Sequence, residues 1–105
     1  MTLAGFKDIL TSFEVDVFHF EAYKATNDYI VWRELEGIGL SGDNQIAESG
    51  MLIAVDFYTK QEYSTIPERI TKRLELCDEI AVEQPTVVYD EDTKLIHYAW
   101  TCEVV

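Results

Sequence analysis

Two histidines, two cysteines, a run of three acids and one acid inside an apolar strand are the side chains of this 105-residue chain that invite a chemical reading. His19 and His97 each alternate with apolar neighbours. A catalytic or metal-binding histidine needs a second ligand or base at a recognised spacing, and the sequence supplies none. Both therefore read as structural. Cys77 falls on the apolar stripe of a helical pattern, and Cys102 sits beside Trp100 in a strand pattern. Neither has a C-x-x-C partner or an adjacent histidine to lower its pKa, so neither reads as a nucleophile. Asp90, Glu91 and Asp92 offer the oxygens a hard cation wants, but the fixed glycine and distal glutamate of an EF-hand are missing, which leaves a solvated turn. Asp56 stands inside an apolar run. It marks a sheet face that becomes exposed, or partners Arg33 on the neighbouring strand, or makes a salt bridge to another subunit. There is no P-loop, dinucleotide fingerprint or serine elbow. The chain is not expected to be an enzyme, and no catalytic residue, metal or cofactor is assigned.

The elements that carry these residues are legible from their periods. Leu3, Phe6, Ile9, Leu10 and Phe13 recur at helical spacing behind Thr2, a suitable N-cap. Residues 14–21 then alternate as a strand, and a turn-like stretch at 25–28 leads to a second strand at Tyr29–Glu36. Met51–Thr59 is a nearly continuous apolar run, which predicts a central strand covered on both faces. Thr65, Pro67 and Glu68 fit a capping box opening a helix. Its apolar stripe runs Ile66, Ile70, Leu74, Cys77 and Ile80 toward Pro85, and Glu68 and Lys72 form an i,i+4 pair. Thr86–Tyr89 and Lys94–Val105 flank a polar turn as a hairpin. The order α-β-β-β-α-β-β predicts one α+β domain spanning residues 1–105. Its sheet is largely antiparallel but mixed, with two helices packed on one face and a parallel or crossover pairing open at the second helix.

Between the second and third strands lies Gly37–Gly50, long for a hairpin connection. It carries Ile38, Leu40 and Ile46 on a glycine-rich frame, with Asp43 and Glu48 among them. A neighbouring subunit is the natural recipient for such residues, so these five, with Arg33 and Asp56, are the expected subunit or partner interface. The charge informs by exclusion. With 8 basic and 20 acidic residues the chain carries a net charge of −12. Phosphate-backbone binding needs clustered Lys and Arg, which are sparse here. The acids are spread evenly, so they read as solubility, or as a surface that repels or mimics DNA. The absence of a signal-like or membrane-length apolar run predicts a cytosolic chain with reduced thiols.

The set YIVW at Tyr29–Trp32, IAVDFYTK at Ile53–Lys60, IPERI at Ile66–Ile70 and YDEDTKLIHYAWTCEV at Tyr89–Val104 resembles the tail-terminator, or head–tail joining, proteins of long-tailed bacteriophages and prophages. The likeness runs from about Ser12 to Val105 and rests on hydrophobic patterns in element order. It implies a homohexameric ring on the end of the tail tube in the virion, assembled in the bacterial cytoplasm. Such a ring stops tube polymerisation and presents a surface to the head. Its partners are further copies of itself, the tail-tube protein and a head–tail connector protein, with no sequence-specific nucleic acid and no membrane. Two other readings stay open: an acidic inhibitor that mimics DNA in the groove of a nucleic-acid enzyme, and a small regulatory ligand-binding domain.

Overall fold

A computed structural model of the chain describes residues 1–25, 27–38 and 50–105, with Ile38 described by its backbone alone. The elements are α1 (Leu3–Thr11), β1 (Asp16–His19), β2 (Tyr29–Ile38), β3 (Gly50–Thr59), α2 (Ile66–Glu75), β4 (Ile80–Val82), β5 (Thr86–Asp90) and β6 (Leu95–Val104). They build the α+β architecture predicted, with one strand more than the sequence pattern suggests. The sheet runs β1-β2-β3-β6-β4, and β5 also pairs with β6. β4 faces Cys102–Val104 and β5 faces Leu95–Ala99, so the two lie end to end along one side of β6.

Register and alternation divide the sheet into two faces. Ile30, Trp32, Phe57, Val55, Ile53, Tyr98, Trp100 and Cys102 stand on one of them. Both helices cover that face. Phe6, Ile9 and Leu10 of α1 and Ile70 and Leu74 of α2 are buried in the same core as Trp32, Phe57 and Trp100. The Thr2 hydroxyl caps α1 by accepting from Gly5 N at 3.0 Å. In the core, the Trp100 indole N–H donates to Thr71 Oγ1 at 2.9 Å, and that hydroxyl donates to the Pro67 carbonyl at 3.1 Å. The indole nitrogen is thereby satisfied where water does not reach.

Three expectations change. The β3 strand is central, but it is not covered on both faces: Ile53, Val55, Phe57 and Thr59 are buried while Leu52, Ala54, Asp56 and Tyr58 are half-buried. Helix α2 stops at Glu75, and Ile80 belongs to β4. Its apolar period continues by coincidence past the helix end, because Ile80 is buried in the same core from a strand. Pairing β4 with β6 satisfies backbone groups that a longer helix would leave open. The capping box is also absent: Thr65 makes no side-chain cap bond, and Ser64 Oγ accepts from Ile66 N at 3.2 Å instead. Pro67 still occupies the first turn, and Glu68 still pairs with Lys72 at 2.9 Å.

Helix α2 makes the crossover expected there, leading from β3 to β4, which run parallel with β6 between them. Among the described strands, the pair that is both parallel and adjacent is β1–β2. Parallel neighbours normally need a long crossover. Here β1 has four residues, so residues 20–28 have only a short return to make. That return bends through positive φ at Phe20 (74°) and Lys24 (57°). A bulky aromatic in the left-handed region is costly and persists only where its surroundings fix it.

Candidate assembly surfaces

The residues singled out from the sequence fall into two groups. Leu40, Asp43, Ile46 and Glu48 lie outside the described residues. The ladder nevertheless reaches further into the Gly37–Gly50 stretch than its composition suggests, since Gly37 pairs with Met51 and Ile38 with Gly50. A Cβ at Gly50 would meet the Val104 carbonyl oxygen at 2.7 Å. Glycine is therefore required where β3 closes against the end of β6.

Arg33 and Asp56 stand on the face opposite the helices. Their expected pairing is not what fixes Asp56: its Oδ1 lies 2.7 Å from His97 Nε2 across the β3–β6 ladder. Arg33 lies opposite Ala54, one diagonal step away. This face carries an aromatic row. Tyr29 and Tyr58 stack with centroids 4.8 Å apart, and Tyr58 stacks on His97 at 4.4 Å. Burial raises the Tyr29 hydroxyl pKa, and burial followed by the Asp56 charge raises that of Tyr58, with Arg33 acting against the shift. The rings stand side by side on the sheet, and a cleft of about 560 Å³ lies between this row and the β5–β6 turn.

At the turn itself the Asp90 carboxylate accepts from Asp92 N at 3.0 Å. That bond and the Thr93 hydroxyl hold its pKa below the usual value. Asp90 thus helps to fold the turn. Among the described residues there is no group of three or more His, Cys, Asp or Glu placed to hold a metal ion. Cys102 is buried, which pushes its thiol up to about 12, away from a nucleophile's range. No described helix is long and apolar enough to cross a membrane.

The two edges of the sheet are the surfaces that sequence reasoning missed. All five residues of β5 are exposed, and it pairs only with β6 among the described residues. Val87, Val88 and Tyr89 are 56%, 59% and 55% exposed, on both faces of the strand. An apolar strand with an unpaired edge is a template for another chain. At the opposite edge, beyond β1, the His19 ring is held between Trp32 and Phe20, with both centroids 4.0 Å away. Its Nε2 lies 2.6 Å from Glu34 Oε1, which fixes the ring edgewise as well. The outer ring of this stack, Phe20, is 57% exposed. The signal for β5 was present but ambiguous: TVVY has the composition of a buried strand, and only its place in the sheet shows otherwise. Phe20 carried no signal beyond its alternation.

A scan of protein-family models gives no match to this chain, and a search of curated proteins gives none either.

Proposed function

We propose that this protein is a structural assembly component of the phage tail-terminator or head–tail joining type. It forms a ring of identical subunits at the end of a tail tube, stops the tube's growth and offers a surface for the head. The observation that carries the reading is β5, a strand of β-branched and aromatic residues exposed on both faces at a sheet edge that is open among the described residues. A monomer gains nothing from leaving such a strand uncovered, whereas a self-associating protein uses it. The α+β build and its element order agree with the resemblance carried by YIVW, IAVDFYTK, IPERI and YDEDTKLIHYAWTCEV.

The work of such a ring is mechanical. It needs one contact that repeats between copies and two different surfaces for the tube and the head connector. The even distribution of 20 acids supports a lumen along which DNA passes without adhering. The acidic-inhibitor and ligand-binding alternatives explain the charge or the cleft, but neither uses the open edge strand.

The test is genetic and visual. Deleting the coding sequence from the phage or prophage that carries it is expected to give tubes of uneven, overgrown length and heads that remain unattached, seen by electron microscopy. Particles of normal tail length with heads joined would overturn the reading.

A further inference from the structure

We infer that the repeating contact is a head-to-tail extension of the sheet, in which β5 of one copy pairs antiparallel with β1 of the next and Phe20 packs against Val87 and Tyr89 across the junction. This rests on the self-associating ring proposed above and names the surfaces that build it.

Strand direction comes first. β1 and β2 are parallel, β3 opposes β2, β6 opposes β3, and β5 opposes β6. Within one copy, then, β5 runs opposite to β1 from the other edge of the sheet. A second copy brought alongside by rotation about a ring axis presents its β1 antiparallel to the first copy's β5, so the ladder continues in the geometry already used at β2–β3 and β3–β6. The lengths match, at four residues for β1 and five for β5.

The side chains agree with this. Cα partners share a face, so Val17 and His19 stand with Ile30 and Trp32, while Val87 and Tyr89 stand with Tyr98 and Ile96. These all belong to the face that carries the helices. Antiparallel pairing of β5 with β1 keeps that face continuous and brings the Phe20–His19–Trp32 stack of one copy toward Val87 and Tyr89 of its neighbour. Phe20 is suited to be an anchor because its ring is already held by His19 and its backbone is already bent, so little freedom is lost on docking.

Charge selects the same two strips. In a chain of net charge −12, copies repel one another across most approaches. Thr86–Tyr89 contains no charged residue, and neither does the stretch Val17–Phe20 apart from His19. These are apolar strips at opposite ends of one sheet, and the acids of the two strands, Asp16 of β1 and Asp90 of β5, stand at their ends. Because the strips differ from each other, the contact is heterologous, and a heterologous contact is what closes a ring rather than a two-fold dimer.

The experiment uses the full chain with Tyr89 replaced by the photoreactive p-benzoylphenylalanine, mixed with an equal amount of ¹⁵N-labelled wild-type chain and irradiated. Cross-links between copies are identified by tryptic mass spectrometry. The expected acceptor is the labelled peptide between Lys7 and Lys24, which contains β1 and Phe20. Phe20→Lys in the labelled chain is expected to lower that yield about tenfold or more, as loss of an interface anchor does, with an unchanged circular dichroism spectrum. If copies cross-link mainly through the peptide between Arg73 and Lys94, which carries β5 itself, the contact is a two-fold dimer and this inference fails. Inter-copy links to any other peptide also defeat the inference, in both cases with self-association intact. No inter-copy link at all, from a sample that is monomeric at millimolar concentration, removes the ring reading together with it.

Discussion

β3 and β5 are both short of charge and rich in β-branched and aromatic residues, yet they meet opposite fates. In β3, Ile53, Val55, Phe57 and Thr59 are completely buried, whereas every residue of β5 is exposed. Composition does not separate them; neighbours do. β3 has β2 on one side, β6 on the other and two helices above its inner face. β5 has β6 alone. The hydrophobic effect stabilises β3 within the monomer, while the same kind of side chain on β5 contributes its burial only when something else arrives. A strand that adds little to the fold but keeps its apolar character is the one the proposed ring would use.

That contrast is most sharply tested by stability. Leu74→Ala, in the fully buried core, is expected to cost about 2–5 kcal/mol in urea unfolding, through lost burial and a residual cavity. Val87→Ala on β5 is expected to stay within about 0.5 kcal/mol for the monomer. Comparable losses for the two would mean that β5 is part of the core after all. Next in size is Thr71→Val, which leaves the buried Trp100 N–H without its 2.9 Å acceptor. The expected cost is about 1–3 kcal/mol, and a neutral result would show that another acceptor replaces it.

A smaller effect comes from pH. Burial raises the Cys102 thiol from 9.0 to about 12, and Tyr58 is raised from 10.0. The unfolded chain therefore releases these protons first, so stability is full below pH 9.0 and falls as pH climbs toward about 12. The urea midpoint should decline across that window and decline less in Cys102→Ala. A flat wild-type midpoint would contradict the burial of this residue. Salt supplies the subtlest test. Because the copies repel through their acids, and the proposed junction has only the like-charged Asp16 and Asp90 at its ends, raising ionic strength should strengthen self-association, measured by sedimentation. Weakening by salt would point to an ion-paired junction, with Arg33 or Asp56 the first residues to examine.

Much of the fold was legible because period and capping are local properties. Helix α1, the start of α2, strands β2 and β3 and the final hairpin all announce themselves in spacing or in turn residues. β4 was not legible, since Ile80 continues the helical stripe and only the open edge of β6 explains why the chain unwinds before it. The parallel β1–β2 pairing was equally hidden, because a four-residue strand escapes the usual need for a long crossover. For the candidate surfaces, the sequence drew attention to the Gly37–Gly50 loop on grounds of length. Residues Leu40, Asp43, Ile46 and Glu48 within it lie outside the described structure. The edges emerged only from topology: nothing in TVVY says that it has one neighbour instead of two, and nothing in HF says that the two rings stack and point outward. Asp56 was recognised as unusual, but its partner His97 is 41 positions away and beyond any spacing rule.

The most direct measurement is the native mass of the wild-type chain and of Val87→Lys, taken over a concentration series up to the millimolar range. The wild type is expected to reach a fixed multiple of 12.1 kDa that stops growing, as a closed ring does, while Val87→Lys remains at 12.1 kDa with the same circular dichroism spectrum. A wild-type chain that stays at 12.1 kDa throughout, or a lysine variant that assembles to the same mass, would contradict the claim that the open edge of this sheet exists to join one copy to the next.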